Sequence, residues 1–469
     1  MGEISYPNII FILADDLGYG DVGCYGSEKI PTPHIDKIAS EGIRFTDAHS
    51  SSAVCSPSRY SIITGRYSWR SRLKRGVLWG YSWPIIEKSR PTIASILKQK
   101  GYHTAAIGKW HLGLKWPTPN YKPIMNLMEK KPNVDYNKPI KGGPISLGFD
   151  YFFGIPGSLD MHPYCFIEND HTVGIPSIMK EELYQQQIEG LMTPGWRDEE
   201  VDIKFTEKAR KFLNKHVKEQ KDKPFFLYFC SSAPHRPCDI RPDFVIGKSE
   251  AGDRGDMVVL FDWIVGQIYQ ELEHLGILDN TLLIITSDNG ARASCYNGKD
   301  YGHNSNGHWR GQKADIWEGG HRIPLIAKWK NHIPTNQVSN EPTCLVDIFA
   351  TLCAIIGESL PNAAEDSENM LKAFLGKKIK KNIRKFMINH SDTGLFAIRK
   401  GDWKLIKGLG SGGFTPPIRK RAKKGMPKGQ LYNLKKDPQE QHNLWNEELT
   451  LVENLKRNLK IIRSKSDTN

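Results

Sequence analysis

No stretch of this chain approaches the about 18 consecutive apolar residues that a membrane-spanning helix needs, so no membrane span is expected. The eight cysteines, at positions 24, 55, 165, 230, 238, 295, 344 and 353, include no Cys-x-x-Cys pair. In a chain this long they do not form a disulfide framework. The first residues, Met1-Gly2-Glu3-Ile4, carry neither the basic segment nor the apolar segment of a signal peptide. A strand pattern already begins at Asn8, so the chain starts abruptly at a core element. The expectation is a leader already removed, hence a periplasmic or secreted protein. The net charge of +13 fits a nucleic-acid partner on charge alone, but no nucleic-acid-binding module is present and none is expected as a partner.

What is present is an ordinary globular composition, 39% hydrophobic and 25% charged, over 469 residues. That length exceeds a usual single domain. Basic clusters stand at Lys377-Lys378, Lys380-Lys381, Arg384-Lys385 and from Arg419 to Lys428. They read as solvated surface, or as a positive field that steers a polyanion.

The hydrophobic pattern is α/β. Asn8–Ala14 is a continuous apolar run of buried-strand length, and Thr104–Ile107, Phe225–Cys230 and Leu282–Thr286 repeat it. Helical periods lie between them, as in Val201–Val217 and Met257–Leu275. This alternation predicts a mostly parallel central sheet flanked by helices. The region 115–195, rich in Pro, Gly and Asn, reads as long loops over a site. From about 380 the pattern changes to short strands at Phe386–Asn389, Leu395–Ile398 and Trp403–Ile406. A catalytic α/β domain over 1–380 and a small antiparallel C-terminal subdomain over 381–469 are expected.

Each apolar run is followed by a polar cluster: Asp15-Asp16, then Gly108-Lys109-Trp110-His111, then His235, then Asp288-Asn289. Ligands of open α/β sheets bind beyond the carboxyl ends of the strands, so parallel strands would bring these clusters to one site. Asp15, Asp16, Asp288 and Asn289 offer three carboxylates and an amide oxygen, a donor set suited to Ca²⁺ or Mg²⁺.

The segment Cys55-Ser56-Pro57-Ser58-Arg59, followed by Thr64-Gly65, resembles the signature of the type I sulfatases. The resemblance widens to Asp15–Asp21, Gly108–Gly113, Asp288-Asn289-Gly290 and Trp317–Arg322, in sulfatase order, and spans about residues 8–445. It implies an alkaline-phosphatase-like fold, one bound Ca²⁺ per chain and hydrolysis of a sulfate ester. It also implies that a formylglycine-generating or maturase enzyme oxidises Cys55 to formylglycine, whose hydrate is the nucleophile and a metal ligand beside Asp15, Asp16, Asp288 and Asn289. Pro57 suits the first turn of a helix, which would set position 55 at the positive end of the helix dipole. Arg59, one turn on, can bond the diol or the metal cluster. Carried over residue by residue, Lys109 and Lys313 bind sulfate, His111 holds the diol, and His235 protonates the leaving oxygen. Ser158 is also matched to the sulfate side.

The expected substrate partner is a sulfated carbohydrate. Asp160, His162, Arg236, His303, His308 and Arg310 flank the matched segments and are candidates for holding the sugar. Arg310–Trp317 looks like a subset of bacterial carbohydrate sulfatases, some of which act on galactose or N-acetylgalactosamine 6-sulfate. The alternatives are a phosphonate monoester or phosphodiester hydrolase of the same superfamily, and a catalytically inactive protein that binds sulfated glycans.

Overall fold

Asn8–Ala14 is wholly buried because it runs down the middle of the sheet with helices on both faces. In the computed structural model, which describes residues 6–181, 187–292, 299 and 301–464, a ten-stranded sheet crosses the molecule. Five strands at its centre are parallel, in the order Thr281–Ser287, Asn8–Ala14, Phe225–Cys230, His103–Lys109, Tyr151–Ile155. Leu325–Lys328 joins antiparallel beside Thr281–Ser287. Residues 1–5 and Cys295, which entered the sequence reading, lie outside the described residues.

Alternation along the strands divides the core. Phe11, Tyr228 and Phe226 face a cluster that includes Tyr60 and Trp110. Ile10, Ile12, Leu227 and Phe229 face the long helices Val201–Gln220 and Gly252–His274. The first helix buries Val201, Phe205, Ala209, Phe212, Leu213 and His216, a helical spacing that accounts for its inward stripe.

The region 115–195 differs from the loops expected there. Tyr151–Ile155 is the fifth parallel strand, and short hairpins follow it. Five residues that include Gly154 carry too little periodicity to stand out from their surroundings. The His103–Lys109 strand also runs two residues past its apolar stretch. Gly108 allows this. Its φ is +113°, and a Cβ there would stand 1.8 Å from the carbonyl oxygen of Cys230 on the neighbouring strand. Gly108→Ala is therefore expected to destabilise the protein at the upper end of the ~0.5–3 kcal/mol range of single substitutions, read as a lowered urea midpoint.

Toward the C-terminus, Met387–His390, Phe396–Lys400, Trp403–Ile406 and Gln430–Asn433 form a four-stranded antiparallel sheet. The helix Leu449–Ser464 lays Val452, Leu455 and Leu459 into a core shared with this sheet and with Tyr67 and Trp69 of the main body. A buried charge cluster adds a second tie. Lys404 Nζ lies 3.0 Å from Glu318 Oε1 and 2.9 Å from Glu440 Oε1. Among the described residues no helix is long and apolar enough to cross a membrane, and no cysteines are paired.

Candidate active site

The four polar clusters converge at the carboxyl end of the parallel sheet. Asp15 and Asp16 follow one strand, Asp288 and Asn289 follow its neighbour, and Lys109 ends a third. The helix Cys55–Thr64 begins there, with Cys55 as its first residue and Pro57 in its first turn. Ligand atoms of Asp15, Asp16, Cys55 and Asp288 all lie within 4.8 Å of one another and are buried. Cys55 Sγ is 3.4 Å from Asp15 Oδ1 and 3.9 Å from Asp16 Oδ1.

Three cations offset the three carboxylates. Lys109 Nζ donates to Asp15 Oδ2 at 2.6 Å, and Lys313 Nζ to Asp16 Oδ2 at 2.7 Å. Arg59 donates through Nε to Asp288 Oδ2 at 2.9 Å and through Nη1 to the carbonyl oxygen of Lys109. Asn289 Nδ2 donates to Asp16 Oδ1 at 2.7 Å, and its Oδ1 is buried without a hydrogen-bond partner. A buried amide oxygen left unpaired is costly, and beside three carboxylates it is the donor a hard cation takes. The residues therefore fit a calcium ion.

The same surroundings set the protonation states. Burial, and then Asp288, push the Cys55 thiol well above its ordinary pKa, so the unmodified side chain is a neutral thiol. Burial also opposes ionisation of Asp16, but Lys313, His235 and Lys109 outweigh it and hold that carboxyl well below the usual range. Asp288 is pushed up to about 6 by burial despite Arg59. His235 is lowered to about 3 by burial and the Lys313 charge, against the pull of Asp16 and Asp160.

His111 bonds through Nε2 to the carbonyl oxygen of Leu78 at 2.6 Å, leaving Nδ1 buried and without a partner. His111, Asp16 and Ala314 all have left-handed backbone, with φ of 57°, 69° and 77°. Such conformations cost on the order of 1–3 kcal/mol each and gather at functional sites. His235 Nε2 stands 3.7 Å from Asp16 Oδ2. Ser158 links the histidine to a lysine, with Oγ 3.1 Å from His235 Nδ1 and 3.2 Å from Lys109 Nζ.

Of the sugar-holding candidates, Asp160 and Arg236 are joined to each other at 2.7 Å beside His235, and Asp160 Oδ1 is buried without a partner. His162 is buried against Tyr81. His303, His308 and Arg310 are held in the surrounding shell instead. His303 Nε2 pairs with Asp21 Oδ1 at 2.9 Å, and His308 packs on Trp309. Arg310 lies 3.7 Å over Trp317 and donates to the carbonyl oxygen of Glu440.

Two supports escaped the sequence reading. Arg254 clamps Asp21 at 2.6 Å and donates to the backbone carbonyl of Asp16, so it fixes the turn that carries the metal-type ligands. Asp202 accepts from Ser231 and Ser232 and holds the turn that leads to His235. Each comes from a helix distant in sequence, and an Arg or Asp in a helix's first turns carries no local sign of that task. His49, Glu318 and His321 also bring ligand atoms together, but Lys404 Nζ stands 3.2 Å from His321 Nε2 and supplies the positive charge there.

Residues 7–358 match the family model described as Sulfatase. An N-acetylgalactosamine-6-O-sulfatase of Bacteroides thetaiotaomicron is 35% identical over 504 residues, covering 98% of this chain and 93% of that protein. Human arylsulfatase A is 31% identical over 465 residues, covering 93% and 83%. A solved B. thetaiotaomicron sulfatase, reported with the metabolism of multiple glycosaminoglycans, superposes with a TM-score of 0.86 at 33% identity, covering 98% of this chain and 99% of that one.

Proposed function

The chain belongs to the sulfatase family of sulfuric ester hydrolases, and from that premise we propose that it removes a 6-O-sulfate from N-acetylgalactosamine or galactose in a sulfated glycan, using a nucleophile made from Cys55. The observation that carries the chemistry is the placement of Cys55, at a helix N-terminus and 3.4 Å from Asp15 in the carboxylate cluster. The likeness to the N-acetylgalactosamine-6-O-sulfatase supports the sugar and the position.

Conversion of Cys55 to formylglycine and addition of water to its aldehyde would supply two geminal hydroxyls on one carbon: one would displace the sugar alcohol from sulfur, and loss of the other's proton would later expel sulfate and restore the aldehyde. Cys55 is only 2% exposed, on a helix buried along its whole length. The converting enzyme must therefore reach it before the chain folds. Asp15, Asp16, Asp288 and Asn289 would hold calcium, which supplies positive charge toward sulfate oxygens. The three carboxylates and three cations nearly cancel. A divalent ion leaves the pocket net positive, as an anionic ester requires.

The remaining roles follow from the side chains. Lys109 and Lys313 present ammonium groups for sulfate oxygens, where they stabilise the charge that spreads in the transition state. Arg59 keeps Asp288 in place. His111, fixed through Nε2, has Nδ1 available to an oxygen on residue 55. His235, oriented by Ser158, is placed to give a proton to the leaving sugar oxygen. Burial first, and then the Lys313 charge, hold His235 neutral in the free protein, and an anionic sulfate beside Lys313 offsets the second of these. Asp160 and Arg236, next to it, are placed to hold sugar hydroxyls.

A panel of 6-sulfated and 4-sulfated N-acetylgalactosamine and galactose, with an aryl phosphodiester, tests the reading by kcat/KM. It predicts preference for a 6-sulfate. Faster cleavage of a 4-sulfate would overturn the position assigned, and faster cleavage of the phosphodiester would overturn the reaction. The metal has a readout of its own. Adding Ca²⁺ at about 100 times Kd to chelator-treated protein is expected to stabilise it by about 2.7 kcal/mol. An unchanged melting temperature on adding Ca²⁺ would contradict the assigned ligands.

A further inference from the structure

The helix Leu449–Ser464 buries Val452, Leu455 and Leu459, and from Glu453 to Ser464 its neighbouring face lines a cavity of 670 Å³ that Leu459 also borders. Six cations line that cavity: Lys74, Lys407, Lys456, Arg457, Lys460 and Arg463. One carboxylate, Glu453, opposes them and pairs with Lys456 at 2.7 Å. Trp69 forms part of the wall.

Such a gathering of like charge is unfavourable in an isolated protein. Lys456 and Lys460 stand four residues apart on the helix, and Lys460 and Arg463 three apart, both spacings at which like charges repel. The helix dipole favours cations in the last turn only, which covers Arg463. It gives no reason for Lys407, which arrives from another part of the chain. Lys74 donates to the carbonyl oxygen of Trp69 at 2.7 Å and Arg463 lies 4.0 Å over the Phe396 ring, contacts that hold these side chains without neutralising their charge. An external anion would offset the positive charge that one carboxylate leaves.

The segment just beyond Lys74 is also tied to the segment that carries Lys313. Gly76 N donates to the carbonyl oxygen of Asp392 at 2.8 Å, and Asp392 N donates to that of Ala314 at 3.0 Å, next to Lys313. The rim that carries Lys74 is thus two backbone hydrogen bonds from the sulfate-facing lysine. From Lys456 to Arg463 the cations spread over about 10 Å of helix. That length spans more than one sugar ring, so it suits anionic groups on successive units of a chain.

We propose that this cavity is an exosite that holds sulfate groups on further units of the same glycan chain whose sulfate ester occupies the catalytic pocket. The inference rests on the sulfated-glycan reading of the active site and adds a second contact outside it. A positive concavity concentrates a polyanion and speeds its capture, an effect that salt weakens.

The test compares Lys456→Glu/Arg457→Glu/Lys460→Glu with the unaltered protein on a sulfated monosaccharide and on a sulfated polysaccharide carrying the same ester. All three positions lie outside the catalytic pocket. The expected result is an unchanged kcat/KM on the monosaccharide and a KM on the polymer raised roughly tenfold, about 1.4 kcal/mol, at low salt. Equal KM changes on the two substrates would overturn the exosite. Failure of the unaltered protein to release sulfate from the monosaccharide would instead count against the function proposed above. Lysine-acetylation footprinting of the unaltered protein covers the case of a variant that does not fold. Protection of Lys456 and Lys460 by the sulfated polymer, but not by its desulfated form, supports the site, and lack of protection overturns it. Equal protection by a single-stranded DNA would assign the cavity to polyanions at large and overturn its assignment to the glycan.

Discussion

Cys55→Ala is expected to abolish turnover of a sulfate ester, with kcat falling on the order of 10⁴–10⁶-fold, the scale seen when a covalent nucleophile is removed. The loss should come without loss of the fold. Residue 55 opens a buried helix, and its side chain contacts Asp15 and Asp16 without filling a large apolar volume. A melting temperature close to that of the unaltered protein separates chemistry from folding. Cys55→Ser sharpens the comparison. It restores an oxygen at that position but not the geminal pair, so it should stay inactive in a host that does not convert serine. A near-normal kcat for Cys55→Ala would leave the carboxylate cluster as the source of catalysis and remove residue 55 from the mechanism.

The second large effect is a split between substrates. Sugar alcohols are poor leaving groups and need a proton, whereas an acidic phenol such as 4-nitrophenol leaves with little help. His235→Ala should therefore lose about 10²–10⁴-fold in kcat/KM on a sulfated sugar and much less on 4-nitrophenyl sulfate. Lys313→Ala should damage both comparably, because both present the same sulfate group to the ammonium that now lies 2.7 Å from Asp16. Equal losses for His235→Ala on the two substrates would assign His235 to binding or support. The split matters because Ser158 and Asp16 both contact His235, and a supporting role would lower both rates alike.

The α/β architecture was legible because buried parallel strands are nearly uniform apolar runs. Asn8–Ala14 and Phe225–Cys230 coincide with the strands observed. Their carboxyl ends then placed Asp15, Asp16, His235, Asp288 and Asn289 together before any contact was known. Tyr151–Ile155 escaped because a short strand containing glycine has no period of its own, and its role comes from pairing with His103–Lys109. Gln430–Asn433 escaped for a similar reason. It is a short, buried edge strand in which Gln430 accepts from Trp317 and donates to the carbonyl oxygens of Gly408 and Gly410, so its apolar run is broken. The buried cluster of Asp15, Asp16, Cys55, Lys109 and Asp288 was legible through motif and strand end together. The sugar side was not, because neighbours in sequence need not share a face. Asp160 and Arg236 meet beside His235, while Arg310 is drawn off to Trp317 and Glu440. Arg254 and Asp202 act through backbone turns far away in sequence, which no local pattern records.

The most direct measurement is the mass of the peptide containing Cys55, taken with specific sulfatase activity on preparations made with and without a formylglycine-generating enzyme. Conversion removes a sulfur and two hydrogens from the side chain and adds one oxygen, so converted and unconverted peptides are resolved and counted. The account predicts activity proportional to the converted fraction, extrapolating to zero when every residue 55 is a thiol. Full activity from a wholly unconverted preparation would contradict it.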